Sequence, residues 1–515
     1  MRTRSYEYGL AAASGVLLAL SFPKFGHPAF AWIALTPLLV ALGTATLWRA
    51  FMLGLIAGLV YFTGTLYWIT RVMVLYGDLQ PWVAALVNAA LVAYLALFPA
   101  IFALLTRRIT IAHGARAIIA APLVWIASEL GRTHLFTGFP WVLLGYSQVT
   151  VLPIAQFASV FGVYGVSMLI ASVSTALAMY APGSGPAKAG HHVLRRSVPL
   201  ITVVAILIGI AAWGARRAAA AEWTRAGDAI RVGLIQGNVS LEERVNVTRL
   251  GAIFTSYLTM TRQAIRQGAE LVIWPESATP FRFEDDPIAA EQVRTLARQA
   301  RVPILLGSDQ IEPGAQGLPT KYFNSAFLVR PDGTTGGAYR KMHLVPFGEY
   351  VPAKRIFFFA APLVEAVSDF SAGETATLLP IGAHKISTAI CYEVVYPDLV
   401  RQFVVGGSEL LTTITNDAWF GATSAPYQHF EQASMRAIEE GRYLVRAANT
   451  GVSGIVDPYG RVLEKTSIFQ ATVLVGQVRF LQTSTFYARH GDILPYASVL
   501  VTLALVVASK RRTIA

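Results

Sequence analysis

Along the first 216 positions apolar runs follow one another with only short polar breaks, at 8–22, 28–46, 50–70, 82–106, 118–130, 151–181 and 198–216. An eighth run closes the chain at 493–509. A helix needs about 20 apolar residues to cross roughly 30 Å of hydrocarbon, so the pattern predicts about seven consecutive membrane helices and, much later, one more. The run at 118–130 is short and carries Glu129, and the sidedness of everything after it depends on its status. The first run has the basic start of a signal peptide, but the apolar pattern resumes directly after Pro23, which predicts a retained span.

Between the last two runs the pattern changes. Short β-rich stretches at 229–236, 269–276, 302–309, 322–330, 385–393, 409–417 and 453–460 alternate with amphipathic helical patterns at 248–267, 287–300 and 427–441. This is an α/β plan in which helices cover paired sheets. The chain thus divides into a membrane domain at 1–216, a globular domain at 217–492, and a closing helix with a short basic tail at 493–515.

Composition agrees with membrane spans: 54% of the 515 residues are hydrophobic, only 14% are charged, and the mean hydropathy is +0.50. The net charge of +12 comes from basic residues scattered among apolar runs, with no aromatic-interleaved basic stripe, so nucleic acid is not an expected partner. Their positions carry more information. Arg2 and Arg4, then Arg49, then Arg107, Arg108 and Arg116, then Lys188, Arg195 and Arg196, and finally Lys510, Arg511 and Arg512 all fall on one side of an eight-span chain. That side is the cytoplasm by the positive-inside rule, which places 217–492 outside. The stretch at 181–192 reads as a flexible cytoplasmic loop, and the leading runs show no deeply placed charged pair of the kind a pump needs.

The chain has one cysteine, which rules out an intrachain disulfide and a cysteine metal site. Cys391 in AICYE, Glu276 in WPES and Lys341 in YRKMHLVPFGEYVP each end a predicted strand or follow one. A thiol nucleophile needs a base for its proton and gains from an ammonium that stabilises both thiolate and oxyanion, and these three residue types supply that chemistry. Each alone has a plainer reading: free cysteine is commonly core filler, and isolated Glu and Lys are commonly solvated. His343 and His429 are weaker candidates for the base, His343 packing beside Lys341 in its loop. Asn416, Asp417, Trp419 and Phe420 are candidates for shaping a pocket, although a Trp-Phe pair is as often core. Arg436, Glu439, Arg442 and Arg446 have the spacing of helical ion pairs and no assigned chemistry.

The order and spacing of WPES, RKMHLVPFGEYVP, ICYE and TNDAWFG resemble the nitrilase superfamily and, within it, the apolipoprotein N-acyltransferases of bacterial envelopes, with seven-plus-one spans matching the rest of the chain. The resemblance implies a helical integral membrane domain joined to an α-β-β-α sandwich. It also implies Glu276 as general base, Lys341 as oxyanion stabiliser, Cys391 as nucleophile and Glu349 as the residue that positions Lys341. Tyr392 and Glu393 follow the cysteine as in the family, Tyr392 being equally readable as strand-end packing. Where the family commonly has a Lys-Trp pair after QGN, this chain has Arg244 and Val245, so substrate contacts there differ.

The implied reaction transfers an acyl chain from a membrane phospholipid to the N-terminal amine of a diacylglyceryl-cysteine apolipoprotein through a thioester. It needs no cofactor and no metal, and it is expected at the bacterial inner membrane with the catalytic domain on the periplasmic side. The apolar stretch at 356–367 and the turn around Trp419 and Phe420 are candidate lids. Two alternatives stand beside this reading. A membrane-tethered amidase would use the same three groups on small amides, and a non-catalytic envelope receptor would be indifferent to Cys391→Ser.

Overall fold

A computed structural model describes residues 4–24, 26–77, 79–180, 192–314, 320–351 and 369–514. The candidate lid at 356–367 and nearly all of the loop at 181–192 lie outside them. All eight apolar runs are helical. Five helices, Leu47–Leu66, Pro81–His113, Ala158–Tyr180, His192–Ala220 and Ile493–Ile514, are long and apolar enough to cross a membrane. The other runs are shorter: Arg4–Ala19 has 16 residues, 28–42 is broken into three short pieces, and Ala121–His134 has 14. Fourteen residues reach only about 21 Å at 1.5 Å each. A six-residue 3-10 turn, Ala115–Ala120, directly precedes them.

Small residues let these helices approach closely. A Cβ on Gly54 would sit 2.3 Å from the Pro99 carbonyl oxygen, and one on Gly58 would sit 2.8 Å from the Ala96 Cα, so the four-residue glycine spacing presses Leu47–Leu66 against Pro81–His113. Other faces have no protein neighbour. Val198, Ile201, Ile206 and Ile208 on one helix and Leu500, Leu503 and Val507 on another are exposed, as side chains that meet hydrocarbon would be.

A buried charged pair is present where the sequence pattern shows none. Glu129 and Arg132 are both buried and reach backbone of the following segment: Glu129 Oε1 accepts from Leu144 N at 2.7 Å, and Arg132 donates to the Trp141 carbonyl at 2.7 Å. They brace the segment after their helix. At one end of the bundle Arg107 donates to the Ala45 carbonyl at 2.6 Å, Arg49 pairs with Glu7, and His113 lies 3.1 Å from Ser509 Oγ, so several basic clusters share that end.

The α/β half contains two six-stranded sheets among the described residues. The first is built from β1 (Ala229–Gln236), β2 (Leu271–Ile273), β3 (Ile304–Glu312), β4 (Lys321–Val329), β5 (Thr335–Arg340) and β12 (Thr472–Arg479), in the order β12-β1-β2-β3-β4-β5. The second holds β6 (Leu379–Ile381), β7 (His384–Ile390), β8 (Leu410–Thr415), β9 (Leu444–Ala448), β10 (Gly454–Val456) and β11 (Val462–Lys465), ordered in sequence. Parallel pairs β1–β2–β3 and β7–β8–β9 form the two centres, and antiparallel strands flank them.

Alternation along each strand sorts its side chains between two cores. Leu271, Ile273, Leu305, Ala326 and Leu328 face the second sheet, with Ile386 and Ile414 in the same core. Val272, Trp274, Ile304, Leu306, Phe327 and Val329 face the helices Leu250–Arg266 and Pro287–Ala300. Helices Pro397–Val405 and Ala425–Glu440 cover the second sheet, giving α-β-β-α layers. The latter helix also packs on Ala158–Tyr180, and its Glu439 accepts from Val163 N at 2.7 Å. The two halves are therefore joined through a buried helix, not a flexible tether.

Candidate active site

The strand ends predicted to carry chemistry meet between the two sheets. β7 ends at Ile390, and Cys391 opens a tight turn, Cys391–Val395, with a left-handed backbone at φ +53°. A non-glycine residue held there stores strain of about 1 kcal/mol or more, which the surrounding contacts must over-determine. Glu276 follows β2 in the same manner, with Ser277 left-handed at φ +45°. Gly307 on β3 makes that crossing possible, because a Cβ there would lie 2.5 Å from the Pro275 carbonyl oxygen and 2.8 Å from the Glu276 Cα. Lys341 comes one residue after β5 and hydrogen-bonds through its N–H to the Asn324 carbonyl at 2.9 Å.

These groups are almost fully enclosed: Lys341 is 1% exposed, Glu276 7% and Cys391 9%. Lys341 Nζ lies 3.7 Å from Glu276 Oε1 and 2.8 Å from Glu349 Oε1. Asn324 Nδ2 bridges the two carboxylates, at 2.7 Å to Glu276 and 3.1 Å to Glu349. Glu276 Oε2 accepts from Asn416 N at 2.8 Å, and Glu349 Oε2 accepts from Val345 N at 2.8 Å. Both acids are thereby fixed in orientation, around one cation.

Burial sets the protonation of the group. It pushes the Cys391 thiol well above its usual range, the Glu276 charge adds to that push, and Lys341 with a hydrogen bond from Thr415 works against it. Burial also raises the Glu276 carboxyl, against the pull of Lys341, while Glu349 raises it further. Lys341 is held charged: desolvation is outweighed by Glu349, Glu276 and Cys391. The arrangement is a protonated thiol, a carboxylate with enhanced basicity and a fixed ammonium, which suits nucleophilic attack on a carbonyl with base assistance.

The other predicted residues take varied places. Glu393 is fully buried and forms a hub: Oε1 accepts from Met342 N at 2.6 Å, His343 N at 3.1 Å and Tyr339 Oη at 2.7 Å, and Oε2 accepts from Ile390 N at 2.7 Å. Burial pushes its carboxyl up to about 7, against those donors. It ties the lysine loop to the cysteine turn. Asn416 contributes its backbone N–H to Glu276, and its side chain accepts from Asn449 Nδ2 at 2.9 Å. Tyr392 is buried and turned toward the membrane half, where its ring stacks on Trp141 at 6.2 Å. Trp419 is half-buried on the turn Asp417–Phe420, and Phe420 beside it meets Trp68 at 5.0 Å and Trp141 at 5.9 Å. Val245 ends the short helix Leu241–Val245 and is 81% exposed.

The histidines are not placed as bases. His343 packs its ring on Tyr396 at 3.8 Å. His429 is fully buried, with Nε2 3.2 Å from the Cys391 carbonyl oxygen. Of the four residues read as helical ion pairs, Arg436 and Glu439 do pair, at 2.8 Å, but Arg446 lies on β9 and pairs with Asp417 at 2.9 Å. Arg442 donates to the Ser408 carbonyl at 2.8 Å, beyond the helix end at Glu440. Sequence reasoning missed Asn324, Thr415 and Tyr339. The signal for Asn324 was present, a single amide in the middle of the largely apolar β4.

Comparison with known proteins covers nearly the whole chain. Residues 14–176 match the family described as Apolipoprotein N-acyltransferase N-terminal domain, and residues 231–486 match Carbon-nitrogen hydrolase. The chain is similar to an apolipoprotein N-acyltransferase of Geobacter metallireducens, 42% identical over 96% of this chain and 93% of that one. It is also similar to one of Methylococcus capsulatus, 35% identical over 94% and 92%. Among solved structures Saccharomyces cerevisiae Nit3, of the nitrilase superfamily, aligns at 18% identity with a TM-score of 0.39, over 49% of this chain and 90% of that one.

Proposed function

The chain belongs to the apolipoprotein N-acyltransferase family, and from that premise we propose that Cys391, Glu276 and Lys341 carry its lipoprotein N-acylation by a two-step exchange. Glu276 takes the thiol proton, and the thiolate attacks an ester carbonyl of a membrane phospholipid. The tetrahedral oxyanion forms beside Lys341. Its collapse breaks the ester bond, the departing alkoxide receives the proton from Glu276, and a lysophospholipid leaves a thioester on Cys391. In the second step Glu276 deprotonates the N-terminal amine of a diacylglyceryl-cysteine lipoprotein, whose nitrogen attacks the thioester. An amide forms, and the sulfur leaves and regains its proton from Glu276. The observation that carries this reading is the convergence of one buried ammonium and two buried carboxylates, 3.7 Å and 2.8 Å away, on the electrostatic surroundings of a buried thiol. Glu349 positions Lys341, and Glu393 positions the turn.

The aromatic contact between Tyr392 and Trp141 sets the cysteine turn directly against the membrane half, which supports delivery from the bilayer of substrates whose acyl chains cost about 0.8 kcal/mol per CH₂ to extract. The same packing keeps water from the thioester, which favours transfer over the hydrolysis a tethered amidase would perform. The shared basic end of the bundle supports that end as cytoplasmic, in the inner membrane, and the catalytic domain at 217–492 as periplasmic. The test is mass spectrometry of the purified protein in phospholipid micelles. An acyl adduct on Cys391, removed by neutral hydroxylamine and discharged onto a diacylated lipopeptide, is expected. An adduct that persists in Cys391→Ala would sink the assignment.

A further inference from the structure

One buried network touches the nucleophile and has no part in the steps above. His429, on the helix Ala425–Glu440, is fully buried between the second sheet and the membrane half. Its Nε2 lies 3.2 Å from the Cys391 carbonyl oxygen, and its Nδ1 lies 2.9 Å from an Arg446 guanidinium nitrogen and 3.1 Å from Asp417 Oδ1. A carbonyl oxygen only accepts, so Nε2 carries a hydrogen. Nδ1 faces both the guanidinium of Arg446, which only donates, and the carboxylate of Asp417, which only accepts, and the two together hold the ring in place. Burial and the Arg446 charge both disfavour the imidazolium, the nearby Asp417 opposing them.

The network is braced on every side. Asp417 Oδ2 accepts from Arg446 at 2.9 Å, Asp417 Oδ1 accepts from Thr415 at 2.9 Å, and the imidazole packs against Trp141 and Phe420 at 5.4 Å and 5.9 Å. What it holds is the peptide following the nucleophile. That peptide is planar, so a hydrogen bond to the Cys391 oxygen also fixes the opposite direction of the Tyr392 N–H. Cys391 is at φ +53°, a conformation that is costly for a residue with a Cβ and needs such an anchor.

We infer that His429 is a positioning residue for acyl transfer, anchoring the Cys391–Tyr392 peptide through Nε2 so that the thiol stays aligned with Glu276 and Lys341. This rests on Cys391 being the nucleophile. It assigns His429 no proton transfer.

The experiment measures the single-turnover rate of Cys391 acylation in phospholipid micelles by intact-protein mass spectrometry, together with thermal unfolding, for wild type, His429→Leu and His429→Gln. Gln offers an N–H near the Nε2 position, and Leu offers none. The expected result is that His429→Leu loses acylation rate by roughly 100-fold, the scale of a small misplacement of reacting groups. Its dependence on phospholipid concentration should be unchanged, and His429→Gln should recover most of the rate. Equal rates in Leu and wild type would overturn the inference, as would a folded Gln variant as slow as Leu. If Leu fails to fold, the folded Gln variant decides alone: a rate within about 10-fold of wild type supports the anchor, and a larger loss overturns it. Absence of an adduct in wild type would instead remove the nucleophile assignment on which the inference rests.

Discussion

Lys341 Nζ lies closer to Glu349 than to Glu276, at 2.8 Å against 3.7 Å, so the ammonium is held by one carboxylate and only partly neutralises the other. Burial raises the Glu276 carboxyl, and that inequality leaves Lys341 only partly opposing it. Removing the Glu349 charge should draw Lys341 toward Glu276 and lower the Glu276 pKa, since Glu349 now raises it and Lys341 lowers it. In Glu349→Gln the acid limb of the pH–rate profile for acylation should move to lower pH. The plateau rate should fall by about 10- to 100-fold as the base weakens and the cation shifts. An acid limb that stays in place would contradict this account of the second glutamate.

Trp141 joins the halves: its indole N–H donates to Gln428 Oε1 at 2.8 Å, and its ring meets Tyr392, Phe420 and His429. Trp141→Ala should destabilise the protein by about 3–5 kcal/mol, through the cavity and the orphaned Gln428 amide. Trp141→Phe keeps the ring and loses the donor, at a cost of about 1–3 kcal/mol. Thermal unfolding in detergent checks both, and equal losses in the two variants would contradict the assigned share of the ring.

His343 is half-buried against Tyr396, and desolvation depresses its pKa to about 4, with Asp398 opposing and Lys341 assisting. A histidine that resists protonation in the fold accepts a proton more readily once unfolded, at about 6.5. Its contribution is present above that value and is lost as pH falls from about 6.5 toward 4. In His343→Gln the decline of stability across that window should be shallower, while acyl transfer persists at pH 7. A loss of acylation comparable to that of Cys391→Ala would return His343 to the list of bases.

The elements that could be read from sequence were those whose pattern is set locally. β1 at 229–236 and the helix at 287–300 fall at their predicted positions because a β-rich apolar run and a clear helical stripe fix them. β5, β6, β11 and β12 were not predicted, being short, glycine-containing or half-exposed strands whose stability comes from a partner strand. β9 was read as a continuation of ion-paired helix because Arg446 looks like a surface residue. Only the distant Asp417 explains its burial. The candidate site was legible in its reactive groups, because strand-end Glu, Lys and Cys are chemically distinctive. Its scaffolding was not, because Asn324, Thr415 and His429 act through partners tens of residues away.

The enclosed, protonated state of Cys391 also bears on how the sulfur survives between turnovers. Peroxide and foreign disulfides react with thiolate, so a buried thiol whose pKa is raised presents little of the reactive form. With no second cysteine in the chain, an oxidised Cys391 would have no internal thiol to reduce it. Burial at the end of β7 thus gives the resting enzyme resistance to oxidation that a soluble, solvent-exposed thiolate lacks.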